Sequence, residues 1–245
     1  MIRKLMSSKR SEHQEKENKR NFEIRRIETF SDGVFAFAVT LLIVSLEVPK
    51  SFEELLTTMR GFFAFGISFL LLVMIWNEQH RFFRNYGLDD IWTITLNGML
   101  LFIVLFYVYP LKFLFTLIFS DQIYGRNKSP FTIEQSQIPM LMMIYALGFM
   151  AIYTLFFLMY LHASHKSAKL GLSPVEKFDC HSSMYRILIM VIAGFGSFIT
   201  AFLINKDQVG LAGYMYFLIG PAIGIFFIRR IRIRRKLFPT IKSEQ

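Results

Sequence analysis

Long apolar runs separated by short polar breaks dominate this chain. Since a helix needs ~20 residues to cross a ~30 Å hydrocarbon core, the runs predict six spans, at about 32–48, 60–79, 91–110, 138–161, 184–204 and 209–228. Each must be helical, because backbone exposed to lipid has to satisfy its own hydrogen bonds. A β-barrel would show short segments of alternating polarity instead. The expected fold class is an all-α membrane protein, with a polar basic tail over residues 1–25, a membrane domain over 26–228 and a second basic tail over 229–245.

Composition reinforces this pattern: 53% of the residues are hydrophobic and 28 are Phe, which leaves little room for a soluble domain. The tail before the first run lacks the short charged start and early apolar core of a secretory signal, so the first helix is expected to stay in the protein. Lys and Arg gather at Lys16, Lys19, Arg20, Arg25 and Arg26, at Arg81 and Arg84, at Lys166, Lys169 and Lys177, and in RRIRIRRK from Arg229. The positive-inside rule then puts both termini in the cytoplasm, as an even number of spans requires. Basic residues beside helix ends read as membrane orientation and attraction to anionic headgroups, so the formal charge of +10 calls for no nucleic acid. The single cysteine, Cys180, forms no intrachain disulfide.

The first span opens unusually. In RIETFSDGVFAFAVTLLIVSLEVP, Arg26, Glu28, Ser31 and Asp32 stand at the mouth of an apolar helix. At 100° per residue Phe30, Phe37, Leu41, Val44 and Val48 share one narrow stripe, with Thr40 at its edge. Small residues elsewhere, Gly33, Ala36 and Ser45, let neighbouring helices approach closely. Ordinary packing on every face explains such a stripe equally well from periodicity alone. An ionised carboxylate at a membrane helix needs a partner, and Asp32 lies about 140° from Phe37, so it should point toward neighbouring helices. A first-turn role at the positive end of the helix dipole is compatible with that. At matching depth the second span offers Trp76, Asn77, Gln79 and His80, and the third offers Asn97, enough for a buried hydrogen-bond cluster with Ser31 and Asp32. Trp76 and Arg81 also fit as interfacial anchors.

Arg26 followed by Phe30-Ser31-Asp32 resembles the R-x-x-x-F-S-D signature that opens the first helix of the transmembrane protein 175 family, the potassium channels of endosomes and lysosomes with shorter bacterial homologues. The next residues, GVFAFAVTLLIVSLEVP, Trp76 with His80, and Asn97 followed by Pro110 look alike too, so the resemblance covers the first half of the chain. It implies a potassium channel, modestly selective over sodium, without a re-entrant carbonyl filter. A six-helix unit implies a homotetramer in a bacterial cell (inner) membrane, with first helices lining the pore and no cofactor beyond K⁺ as permeant ion. The family's apolar pore layers fall on Phe37, Leu41 and Val44, and its pore-facing hydroxyl on Thr40; Phe37 departs from the Ile or Leu common in related chains. Arg26, Phe30, Ser31, Asp32, Trp76, His80 and Asn97 would form the structural polar cluster. Besides lipids and copies of itself, no partner is implied.

Other constellations are weaker. His162 and His165 lie one turn apart and Asp179-Cys180-His181 follows in the same expected loop, a spacing that permits a metal but more often marks a solvated interface. No H-E-x-x-H, G-x-S-x-G or phosphate-binding glycine loop occurs, which argues against an enzyme. Asn127-Lys128-Ser129 is a glycosylation triplet, meaningful only on a eukaryotic secretory route. Lys112, beyond Pro110, is expected to snorkel at the outer interface, with Phe113 to Phe119 lying along the membrane. A secondary transporter is the alternative function, although its usual midplane charges are nearly absent from the expected span centres.

Overall fold

The computed structural model describes residues 26–44, 49–125, 133, 134, 136–203 and 210–238. Val48 and the Asn127 triplet lie outside the described residues, as does the polar tail over 1–25. The described residues contain no strand. They form α1 (Arg26–Val44), α2 (Phe52–Arg60), α3 (Phe62–Tyr86), α4 (Ile91–Ile118), α5 (Ser120–Tyr124), α6 (Ile138–His165), α7 (Pro174–Leu203), α8 (Gly210–Phe217) and α9 (Ile219–Leu237). Among the described residues five stretches are long and apolar enough to cross a membrane: Phe52–Tyr86, Ile91–Ile118, Ile138–His165, Pro174–Leu203 and Gly213–Leu237. The chain is a multi-pass membrane protein. The described part of α1 carries Arg26, Glu28 and Asp32, and the apolar run expected over 32–48 passes beyond Val44.

Several helices outrun the spans read from hydropathy, because an apolar window measures the hydrocarbon layer while a helix continues wherever its polar side chains find partners. α3 continues past 79 to Tyr86, where Gly87 adopts φ 53° and donates its N–H to the Phe83 carbonyl. That left-handed turn, open to glycine at little cost, sends the chain directly into α4. α4 runs through Pro110 to Ile118, so the segment expected to lie along the membrane from Phe113 is helix for most of its length. α7 begins at Pro174, which places Asp179, Cys180 and His181 on a helix and not in a loop.

The bundle has two packed groups. α1, α3 and α4 make one; α6 and α7 make the other and carry α8 and α9 on the side of α7; contact between α4 and α6 joins them. At the junction Phe82 and Tyr86 of α3 meet Tyr160 of α6 edge to face, with centroids 5.2 and 5.7 Å apart for Phe82–Tyr160 and Tyr86–Tyr160 at interplanar angles of 81° and 84°. That geometry suits the ring quadrupoles and adds roughly 0.5–1.5 kcal/mol per pair beyond area burial. Where lipid surrounds the protein, helices associate through close approach, and Gly148 of α6 shows how close: a Cβ there would overlap the Tyr107 ring of α4. Moving the ring aside would break the bond its hydroxyl donates to the Tyr145 carbonyl at 2.9 Å. Gly148→Ala is expected to cost about 1–3 kcal/mol by overpacking, read as a clear fall in the thermal midpoint of purified protein. An unchanged midpoint would show that α4 and α6 can separate freely.

Candidate functional site in the first helix

α1 has two unlike sides. Ser31, Phe35, Ala38 and Leu42, at i, i+4, i+7 and i+11, are buried against α3 and α4. On the other side Thr29, Gly33, Ala36, Phe37, Thr40 and Ile43 are exposed. Phe30 and Phe37 keep 65% and 56% of their surface open, whereas Leu41 is half-buried and packs against the core edge. The uncovered side is thus centred closer to Thr40 and Gly33 than to the Phe37–Leu41 line. The side chain of Val44 lies outside the described residues.

Two separate polar contacts fix the rotation of α1. In the first, the Gln79 amide donates to Asn97 Oδ1 at 3.1 Å, the Asn97 amide donates to Ser31 Oγ at 2.9 Å, and the Ser31 hydroxyl donates to the Ile27 carbonyl at 2.7 Å. All three side chains are almost wholly buried, so each bond also prevents a desolvated group from standing alone. In the second, Trp76 Nε1 donates to Asp32 Oδ1 at 2.7 Å, and His80 stacks on the same indole at 5.4 Å and 17°. Arg26 and Phe30 are exposed and join neither contact; Asn77 is exposed as well. Asn97→Ala is expected to cost about 1–3 kcal/mol by stranding the buried Gln79 amide and removing the donor to Ser31, again visible in the thermal midpoint; no change would show that water readily replaces the amide.

Thr40 presents a particular chemistry. Its hydroxyl proton is committed to the Ala36 carbonyl at 2.9 Å, a back-bond common for Thr in helices. The oxygen lone pairs therefore face the uncovered side, where they can accept from water or meet a cation. Near the other end of α1, Lys112 of α4 is not a snorkelling side chain: its ammonium donates to the Leu42 carbonyl at 3.0 Å. A half-buried ammonium needs an acceptor, and this main-chain carbonyl supplies one.

Hydropathy alone concealed a further group. Glu78 of α3 accepts from Arg186 of α7 through both oxygens, at 2.7 and 2.9 Å, and from the Tyr160 hydroxyl of α6 at 2.7 Å. It ties the two halves of the bundle together. Outside the spans, Asp90 accepts from Lys166 at 2.7 Å and Thr93 at 2.6 Å and lies 2.8 Å from His162 Nε2. Partial burial acts to raise its pKa, but the bonds from Lys166, Thr93 and His162 outweigh it and hold the carboxyl well below the usual carboxylate range. His162 is thus engaged with a carboxylate, and His181 lies 3.2 Å from Ser164 Oγ. Among the described residues no group of three or more His, Cys, Asp or Glu is placed to hold a metal ion.

The sequence pattern of the family described as "Endosomal/lysosomal potassium channel TMEM175" matches residues 26–107, the stretch that holds α1, both of its polar contacts and most of α4. A potassium channel of Marivirga tractuosa is 40% identical over 222 residues, covering 84% of this chain and 89% of the relative. The chain belongs to the TMEM175 family. A potassium channel of Chamaesiphon minutus is also similar, 36% identical over 96 residues, or 36% of this chain and 47% of that one. The crystal structure of a threonine-to-alanine variant of the potassium channel MtTMEM175, bound to a nanobody–MBP fusion, superposes with a TM-score of 0.76 at 37% identity, over 89% of this chain and 96% of that one. A lysosomal potassium-selective channel TMEM175 homologue from Chamaesiphon minutus shares the fold at a TM-score of 0.54 and 24% identity, over 84% and 96% of the two chains. TMEM175 members are channels, and this chain is not an enzyme.

Proposed function

We propose that this TMEM175 chain conducts potassium as a homotetramer, with four copies of α1 around a central axis. The observation that carries the reading is the fixed rotation of α1. A helix that merely faces lipid has no need of two independent polar fasteners, Ser31 to Asn97 and Asp32 to Trp76. Nor does it need Gly33 and Ala36 on its open side, small residues that let helices of neighbouring subunits approach closely. In this reading the apolar runs make six spans per subunit, the resemblance to short bacterial members points to a bacterial cell membrane, and the positive-inside rule puts the α9 cations and both termini on its cytoplasmic side.

In this reading Phe37, Leu41 and Val44 form apolar rings that close the pore by excluding water, and conduction requires the helices to widen or turn. The Thr40 oxygens, their protons engaged within the helix, stand in weakly for water around a partly dehydrated cation. Potassium loses its hydration more easily than sodium, so a modest preference results. Ser31, Asp32, Trp76, His80 and Asn97 hold the wall in register without touching the ion, so Asp32→Ala should impair assembly or gating with ion preference kept.

Reversal potentials in bilayers, with potassium on one side and sodium on the other, test this. Unitary currents reversing toward the potassium potential are expected, with Thr40→Ala weakening the preference and Leu41→Ala raising leak. A transporter is the second reading, favoured by the buried Glu78–Arg186 pair, since charges inside a bundle often mark a substrate path. Here both charges are spent on each other and on Tyr160. Saturable flux without unitary current would decide for the transporter.

A further inference from the structure

Between Arg229 and Lys236 of α9 six of eight residues are Arg or Lys, and α9 contains no acidic residue. These cations divide into two sets. Arg230 and Arg234 turn toward α7: Arg230 Nε donates to Ser182 Oγ at 2.7 Å with its guanidinium 4.2 Å over the Phe178 ring, and Arg234 donates to Asp179 Oδ2 at 3.1 Å. At 100° per residue Arg229, Arg232, Arg235 and Lys236 fall on the opposite side of the helix, within a sector of about 120°. All are exposed, and none has an ion-pair partner among the described residues. Pro221, Ile225 and Ile228 precede them in the same sector, also exposed, so one face passes from apolar to cationic within a turn.

We propose that this outer face of α9 is a binding site for the headgroup of a negatively charged phospholipid. It rests on reading Gly213–Leu237 as a membrane span, and deepens the proposed function by naming a lipid class and the residues that hold it. The acyl chains lie along Pro221, Ile225 and Ile228; the phosphate oxygens receive hydrogen bonds from the four cations, for which an arginine fork is well shaped. Charge complementarity selects the occupant: with these cations on the cytoplasmic side, the anionic headgroups of that leaflet lie within a Debye length of them. The inward pair, by fastening α9 to α7, fixes which side meets the lipid.

The test counts lipid adducts by native mass spectrometry on the purified full chain, using phosphatidylglycerol against phosphatidylcholine. Wild-type protein should retain phosphatidylglycerol preferentially, and the combined variant R229Q/R232Q/R235Q/K236Q should lose that preference by on the order of tenfold. R230Q/R234Q should lower the thermal midpoint yet keep most of the preference. An equal preference in the four-site variant would overturn the assignment. Displacement by millimolar inorganic phosphate would show that the site takes free phosphate and not a lipid, and absence of any preference in wild type would leave the face to an acidic protein. Adduct counting needs no ion flux, so failure of the channel reading would leave this result intact.

Discussion

Arg186→Met is expected to destabilise the protein by roughly 3–5 kcal/mol, because it leaves Glu78 buried with its charge uncompensated. Both Glu78 oxygens receive bonds from the Arg186 guanidinium, and the side chains keep only 8% and 15% of their surface open. Tyr160 alone can donate a single proton to what remains. The companion change decides between a structural and a functional charge: adding Glu78→Gln to Arg186→Met removes the stranded anion while preserving an acceptor for Tyr160, and should recover most of the loss. Thermal midpoints of the single and double variants, compared as a cycle, measure the coupling. Recovery of stability with ion flux intact would make the pair a tie between the bundle halves. Recovery of stability with flux abolished would move it into the transport path and favour the transporter.

The residues that hold α1 were legible because each announced itself by being out of place. A serine and a carboxylate opening an apolar helix demand partners, and only a few polar side chains in the next two spans lie at the right depth. Trp76 and Asn97 answer that demand. Gln79 was among the candidates, but its position as the donor behind Asn97 depends on which face of α3 meets α4, and periodicity within a single helix cannot supply that. The same gap hid the Glu78–Arg186 pair. One acid and one base lay in view near the ends of different spans, a known signal for pairing, yet nothing local shows that α3 and α7 touch. Lys112 departs from the sequence expectation for another reason: Pro110 suggests the end of a helix, since its ring removes an internal hydrogen bond, but α4 continues and carries the lysine to the Leu42 carbonyl. Arg26 and Phe30 belong to the signature and lie outside the cluster, exposed on the uncovered side of α1.

Replacing Phe37 is expected to produce the largest functional change, and the order of its variants separates two kinds of gate. The side chain is 56% exposed in the subunit, so its removal should leave the subunit core and its thermal midpoint nearly untouched. Raising closed-state leak about tenfold requires lowering the barrier by only ~1.4 kcal/mol, shared among four rings in a tetramer, and Phe37→Ala should exceed that. If the rings obstruct the pore by bulk, leak should follow the volume removed, and Phe37→Asn should leak less than Phe37→Ala. If they close it by dewetting, polarity counts for more than bulk: Phe37→Asn should then leak more than Phe37→Ala, and Phe37→Leu should stay closed. Single-channel recordings of the three variants in one bilayer system give the ranking directly. Leak unchanged in all three would seat Phe37 against a neighbouring subunit or lipid and pass the constriction to Leu41 or Val44.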